Sequence, residues 1–170
     1  MKKIGLLLAI TLSACATEMQ DEVRKYGGFA DGYIAYKDGD YETALREWQP
    51  LADQGHATAQ FNLGLMYEKG LGVAKDYKQA ANWYRRSAEQ GDAHAQFSLG
   101  FMCFKGQGVP QDYSEAAKWY HKAAERGDTD AQTSLGTLYQ KGTGVPQNYS
   151  EAAKWYHKAA ERGNVIAQHN

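Results

Sequence analysis

The sequence is poor in cysteine and proline and has no long run of basic residues. Only two cysteines and three prolines occur among 170 residues, which excludes a framework of several disulfide bonds. The formal net charge is -1 at pH 7, with 19 basic and 20 acidic side chains. Proteins that bind nucleic acid backbones usually carry a basic patch, so no nucleic-acid partner is expected. Glycine, by contrast, is frequent, with 18 residues, and this indicates many regularly spaced turns.

The N-terminus has the charge and hydropathy pattern of an export signal. Residues 2–3 are lysines, and residues 4–12 are almost wholly apolar. This apolar segment is too short to cross a bilayer as a helix, which takes about twenty residues, so a cleaved signal is favoured over a permanent anchor. The segment ends in Leu-Ser-Ala-Cys at residues 12–15, which resembles the lipobox of bacterial lipoproteins.

The lipobox resemblance implies a lipid anchor on Cys15. Residues 1–14 would then be the signal peptide, and residues 15–22 the lipidated N-terminus and tether. The residue after the cysteine is Ala16 and not an aspartate, which in lipoproteins of Gram-negative bacteria favours the outer membrane. We therefore expect an exported protein that is lipid-anchored in the cell envelope. An ordinary signal that is cut near Ala14 or Ala16, without lipid, is the alternative.

A pattern with a period of 36 residues recurs along the rest of the chain. Leu-Gly pairs begin at residues 63, 99 and 135, and Trp-Tyr pairs begin at residues 83, 119 and 155. The segments 108–128 and 144–164 differ at two positions only, which indicates a recent duplication. Repeats of this length are typical of solenoids, in which each unit packs on its neighbours.

Each repeat is expected to form two helices. Apolar residues at helical spacing predict the first of them, helix A. Its predicted ranges are about 57–69, 93–105 and 129–141. A glycine-rich loop ends helix A, and the second helix, helix B, begins after an N-cap at Asp76, Asp112 or Asn148. Glu115 would complete a capping box with Asp112. Helix B carries the Trp-Tyr pairs, which we expect in the core between repeats because periodic apolar positions normally pack.

The second complete unit carries a distinctive set of residues: Ala95, Leu99, Gly100, Gly106, Gly108, Val109, Asp112, Tyr113, Ala116, Trp119, Tyr120, Ala123, Ala124 and Gly127. This set resembles the Sel-one-like repeat, a relative of the tetratricopeptide repeat with a longer glycine loop. The tyrosine that the family has late in helix A is present as Tyr67 and Tyr139 but is replaced by Cys103. The resemblance implies an all-α, right-handed α-solenoid of helix-turn-helix repeats and a role as an adaptor or scaffold. The implied Sel-one-like repeats are 57–92, 93–128 and 129–164.

The units at the two ends differ from these three repeats. Residues 23–56 form a shorter first unit without the long glycine loop, which looks like a plain tetratricopeptide repeat, and its Trp48 has the same phase as Tyr84. Residues 165–170 begin a further helix A and stop before the expected Leu-Gly pair. Because a solenoid normally ends in a polar capping helix, the surface around Trp155 looks uncovered. Either a partner covers it or the reading frame ends prematurely.

No catalytic motif or metal-ligand spacing is present, so we predict neither a reaction nor a cofactor or metal. Cys103 lies where sister repeats have a core tyrosine, so a buried, inert thiol is expected, with a nucleophile as the alternative. The glycine loops lack the strand-then-helix context of phosphate-binding loops and are interpreted as connectors. The histidines form no HExxH pair, and a polar helix face is expected for all five. They are His56, His94, His121, His157 and His169.

The best candidate for a functional surface is the concave face. In tetratricopeptide-type solenoids helix A lines the inner groove, and the resemblance carries this geometry over to twelve positions. They are Phe61, Leu65, Glu68, Lys69, Phe97, Phe101, Phe104, Lys105, Thr133, Thr137, Gln140 and Lys141. The first unit adds Tyr26, Phe29, Tyr33 and Lys37. An aromatic floor beside a row of lysines suits a helix or an extended segment with acidic residues. In the alternative, half of these phenylalanines belong to the core.

These observations predict a non-catalytic, membrane-tethered scaffold whose partner is an unidentified protein or peptide. The rival is a penicillin-binding or weak β-lactamase activity, which is described for some secreted cysteine-rich members of the family. Those members have regularly paired cysteines in their repeats, whereas the repeats of this chain have no such pairs. A Ser-x-x-Lys arrangement, which would supply a nucleophile, is missing as well. Binding of peptidoglycan or another glycan in the groove is a third alternative.

Overall fold

The structure, a computed structural model, describes residues 27–161, which form eight consecutive α-helices and no strand. Helix α1 covers residues 27–38 of this range. The others are α2 (Tyr41–Asp53), α3 (Ala57–Lys69), α4 (Tyr77–Glu89), α5 (Ala93–Lys105), α6 (Tyr113–Glu125), α7 (Thr129–Lys141) and α8 (Tyr149–Glu161). Each helix packs on the helices before and after it along the chain, which confirms the predicted α-solenoid and the predicted ranges of helix A. The predictions for residues 1–22 and 165–170 lie outside the described residues.

The predicted N-caps of helix B are confirmed, but the capping box is not. The Asp112 carboxylate accepts a hydrogen bond from the backbone amide of Glu115 at 2.9 Å, and Asp76 and Asn148 cap α4 and α8 in the same way. In a capping box the Glu115 carboxylate would bind the Asp112 amide. That amide instead donates to the Cys103 carbonyl at 2.9 Å, and the Glu115 carboxylate pairs with Lys118 at 3.2 Å. The capping-box prediction was therefore wrong.

The glycine loop between helix A and helix B also joins one repeat to the one before it. Gly106 ends α5 in the left-handed conformation, with φ 67°, where a residue without a Cβ has no steric penalty. Two residues later Gly108, with φ 70°, lies directly against the Tyr77 carbonyl at the start of α4, and a Cβ there would collide with that backbone. The loop is thus a connector, as predicted, and it also sets the spacing between repeats.

Within each repeat, a tyrosine ring of helix B lies flat on a glycine of helix A. A Cβ added to Gly64 would be 2.5 Å from the Tyr84 ring, so no other residue allows this approach. The same contact joins Gly100 to Tyr120 and Gly136 to Tyr156. The Trp-Tyr residues of helix B are all buried, which confirms their predicted place in the core.

In the first unit the aromatic ring that packs on the glycine is a tryptophan instead of a tyrosine. Gly32 of α1 lies under the Trp48 ring, and a Cβ on this glycine would be 2.5 Å from the indole nitrogen. The indole N–H donates to the Phe29 carbonyl at 3.2 Å. Trp48 therefore has the role that its phase with Tyr84 predicts.

A buried glutamine links each helix B to the next helix A. The Gln60 amide donates to the Ala52 carbonyl at 2.8 Å, and Gln96 and Gln132 make the same bond one and two repeats further on, at 3.0 Å each. Each of these carbonyls also accepts a hydrogen bond from the backbone amide of the glycine three residues later, so the glutamine adds a second bond that joins one repeat to the next.

The glycine–tyrosine contact predicts that Gly64→Ala destabilises the protein. Alanine is the better helix former by about 1 kcal/mol, but its methyl group must displace the Tyr84 ring, and overpacking of a core costs about 1–3 kcal/mol. We expect the free energy of unfolding to fall by about 1–2 kcal/mol in urea denaturation followed by circular dichroism.

The control is Gly27→Ala, because nothing lies within 4 Å of a Cβ at Gly27. This substitution should leave the free energy of unfolding unchanged or raise it by up to about 1 kcal/mol. If Gly64→Ala were as stable as the control, the contact would not limit the packing of the two helices.

Candidate binding site on the helix-A face

The twelve positions predicted from helix A lie on α3, α5 and α7, and we call them together the helix-A face. None of the twelve side chains is buried. The three lysines, Gln140 and Phe101 are exposed, and the exposed fraction of Phe101 is 37%. Of the positions that the first unit adds, Tyr33 is exposed and Phe29 is half-buried, while Tyr26 lies outside the described residues.

The phenylalanines of this face divide into two kinds. Phe61 and Phe97 lie against the core tyrosines Tyr84 and Tyr120, with ring centroids 5.6 Å apart in both pairs. Phe101 and Phe104 belong to the second kind, because the Lys105 ammonium lies 5.7 Å from both ring centroids at the surface. The face is therefore part core and part open surface.

Three polar residues of the face, Glu68, Thr137 and Gln140, take part in the structure of their own repeats. The Tyr84 hydroxyl donates a hydrogen bond to the Glu68 carboxylate at 2.6 Å. The Tyr156 hydroxyl donates to the Gln140 side-chain oxygen at 3.1 Å and contacts the Thr137 hydroxyl at 3.0 Å. In both repeats, helix A thus provides the acceptor for the tyrosine that packs on its glycine.

The middle repeat lacks this hydrogen bond. The residue 16 positions before Tyr120 is Phe104, which has no acceptor. Among residues 27–161, no group forms a hydrogen bond with the Tyr120 hydroxyl. Burial raises the pKa of Tyr120 well above its ordinary value, so the hydroxyl stays protonated and available as a donor.

A cavity of about 240 Å³ opens between α5 and α7, and Tyr120 is among its lining residues. Five of the predicted groove residues line it together. They are Phe101, Phe104, Lys105, Thr137 and Lys141. The remaining lining residues are Tyr120, Ser134, Leu138 and Thr143. The other seven predicted residues lie elsewhere on the helix-A face and do not reach the cavity.

The sequence contains a signal for this cavity that the repeat pattern alone does not reveal. Position 104 is aligned with Glu68 and Gln140, so the middle repeat is the one with an apolar residue where its sisters have a hydrogen-bond acceptor. Tyr120 was predicted as core, and it is 3% exposed, yet it is one of the residues that line the cavity. The structure thus adds Tyr120 to the predicted set.

The other candidates for chemistry have structural roles. Cys103 is 3% exposed, and burial raises the pKa of its thiol, as expected for an inert cysteine. His121 and His157 are on the outer side of helix B beside glutamates, as predicted. His56 is not on a polar helix face but caps α3, where its Nδ1 accepts from the Ala59 amide at 3.2 Å. The prediction for His56 was therefore wrong.

Residues 27–161 contain neither a cluster of metal-binding side chains nor a helix that could span a membrane. No group of three or more histidine, cysteine, aspartate or glutamate side chains in residues 27–161 is placed to hold a metal ion. Within the same range, every helix is too short or too polar to cross a membrane.

The tyrosine hydrogen bonds predict that Tyr84→Phe and Tyr120→Phe differ in their effect on stability. Tyr84→Phe removes a 2.6 Å bond to a carboxylate and should lower the free energy of unfolding by about 1–2 kcal/mol. Tyr120→Phe removes a hydroxyl that forms no hydrogen bond within residues 27–161, so a change of less than about 0.5 kcal/mol is expected. Urea denaturation of both variants provides the measurement, and equal losses would contradict the assignment.

Comparison with known proteins places the chain in a family. The family model for the Sel1 repeat matches residues 57–92, 93–128 and 129–164. Over 46 residues the chain is 54% identical to mouse Protein sel-1 homolog 2, a stretch that covers 26% of this chain and 6% of the mouse protein.

Two solved structures are similar to this one over most of its length. The Sel1 repeat protein from Oxalobacter formigenes is 43% identical with a TM-score of 0.77, and the match covers 80% of this chain and 56% of that one. The protein c5321, a protective antigen of uropathogenic Escherichia coli with an SLR fold, is 38% identical with a TM-score of 0.82. That match covers 89% of this chain and 33% of c5321. The chain thus spans about half of the first solved relative and a third of the second. Three matched repeats and these neighbours lead to one conclusion: the chain belongs to the Sel1 repeat family.

Proposed function

We propose that this protein is a non-catalytic scaffold of the bacterial cell envelope that binds a segment of a partner protein on its helix-A face. Sel1 repeat proteins are generally scaffolds for protein–protein interactions, and this supports the general class. The helix-A face is the surface that the residues favour for such a contact.

The observation that carries the proposal is an exposed aromatic ring beside unpaired lysines. The described lysines that form ion pairs, Lys118 and Lys154, are on helix B. Lys105 and Lys141, at the ends of α5 and α7, form no ion pair within residues 27–161. An apolar patch with a positive edge complements a partner segment that carries apolar and acidic residues.

The residues of the cavity favour binding over catalysis. The buried Cys103 thiol is not among its lining residues. Ser134 lines it, but the residue three positions later is Thr137 and not a lysine, so the nucleophile arrangement of the penicillin-binding enzymes is missing. These features support the scaffold reading over the hydrolase reading.

The lipid tether is the second part of the proposal. It is supported by the apolar segment 4–12 and by the Leu-Ser-Ala-Cys sequence that ends at Cys15. Stable anchoring takes more than one acyl chain, and the lipobox resemblance implies several on this cysteine. The helix-A face would then be presented close to a membrane, and we propose the outer membrane.

Photocrosslinking in cells tests both parts. A photoreactive amino acid replaces Phe101 or Lys69 on the helix-A face, and Lys118 on helix B serves as the control position. We expect one discrete protein adduct from each helix-A position and none from Lys118, recovered in the outer-membrane fraction. Cys15→Ala should move the protein and its adduct to the soluble fraction.

The binding surface and the lipid tether are contradicted by different results. If a folded protein gives no adduct from Phe101 and Lys69, or gives the same adducts from Lys118, the helix-A face is not the binding surface. If Cys15→Ala leaves the protein in the membrane fraction, the tether is wrong.

A further inference from the structure

We propose that the cavity between α5 and α7 is an anchor pocket, which takes one large apolar side chain of the partner while Lys105 and Lys141 bind a carboxylate next to it. This inference rests on the proposed function, because it names the partner chemistry for one part of the helix-A face. It defines a recognition element: an apolar residue with aspartate or glutamate beside it.

One residue that lines the pocket, Phe104, differs in kind from its equivalents in both sister repeats. In the first repeat Glu68 reaches the Tyr84 hydroxyl, and in the third Gln140 reaches that of Tyr156. At the same place Phe104 provides no acceptor, and no group of residues 27–161 forms a hydrogen bond with the hydroxyl of Tyr120, which lines the cavity. The hydroxyl can therefore donate a hydrogen bond to an acceptor on a bound ligand.

The size of the cavity favours a single side chain over a small-molecule ligand. Its volume is about 240 Å³, whereas pockets for drug-sized molecules measure about 300–1,000 Å³. Phe101, Phe104 and Leu138 give it apolar walls. A few anchor residues that enter such pockets usually dominate the affinity of a protein interface.

The polar groups of the pocket favour a ligand group that is negatively charged and accepts hydrogen bonds. Lys105 and Lys141 are both exposed at the pocket, and neither has a carboxylate partner within residues 27–161. The Tyr120 hydroxyl is a donor as well. Among the described residues no aspartate or glutamate lines the cavity, so no acidic side chain repels a carboxylate there, while the two lysines would repel an ammonium group.

A panel of short peptides tests the pocket directly. The probes are acetylated, amidated heptapeptides with leucine, phenylalanine or serine at the centre and either glutamates or lysines on both sides. They are titrated into the mature chain, purified in detergent, with NMR observation of the methyl groups of Thr137 and Leu138. The leucine or phenylalanine peptides with glutamates should bind saturably. The serine peptide and the lysine-flanked peptides should bind at least about tenfold more weakly, a difference of about 1.4 kcal/mol.

The matched variant is Phe104→Gln, which gives the middle repeat the residue of its sister at Gln140. The variant should fold, because that residue is already accommodated in the next repeat, and it should bind the best peptide at least tenfold more weakly. Lys105→Gln should weaken binding of the glutamate peptides alone. Lys154→Gln removes one exposed lysine on helix B, outside the helix-A face, and should leave all affinities unchanged.

Three results would overturn the anchor pocket: equal binding of the leucine and serine peptides, equal binding of glutamate and lysine peptides, or no response of Thr137 and Leu138 to any peptide. The broader function fails separately. In one case the photoreactive residue at position 69 still gives its adduct in cells that carry Phe104→Gln, while the peptides do not bind the purified Phe104→Gln protein. The helix-A face is then a binding surface, and the pocket is not its anchor. If the unsubstituted Phe104 chain gives no adduct, the proposed function itself is wrong.

Discussion

The packing of an aromatic ring of helix B on a glycine of helix A is the contact on which the rest of the structure depends. A fully buried aromatic side chain contributes about 1.5–3 kcal/mol, and the contact with Gly64, Gly100 or Gly136 lets the two helices of a repeat approach closely enough to bury it. A single helix pair cannot cover its aromatic residues. The glycine loop and the buried glutamine therefore add the contacts between repeats, Gly108 on Tyr77 and Gln96 on Ala88.

This fixed packing also determines what the helix-A face can offer to a partner. Once the ring is placed on its glycine, its hydroxyl always emerges beside the residue 16 positions earlier. Where that residue is an acceptor, as in the first and third repeats, it accepts a hydrogen bond from the hydroxyl. In the middle repeat it is Phe104, and the same geometry leaves a donor, two phenylalanine rings and two lysines around an open cavity. One substitution in a repeated framework thus turns a structural position into a candidate binding site.

The sequence predicted the parts of the fold that depend on period and local pattern. The three helix-A ranges follow from helical spacing between glycines, and Asp76, Asp112 and Asn148 cap their helices as their residue type indicates. The capping box was wrong because the Asp112 amide is satisfied by the Cys103 carbonyl across the loop, a contact that the local pattern does not contain. The cavity was not predicted, although five of its residues were, because it depends on where one hydroxyl emerges. That position follows from the packing on Gly100 and not from the residues of helix A alone.

The residue at position 104 decides whether the Tyr120 hydroxyl is satisfied within its repeat. A double-mutant cycle with Phe104→Gln and Tyr120→Phe measures this directly, because the unfolding free energies of the four proteins isolate the interaction between the two positions. We expect a favourable coupling of about 1 kcal/mol between the new glutamine and the Tyr120 hydroxyl. Additive effects, with no coupling beyond about 0.3 kcal/mol, would contradict it.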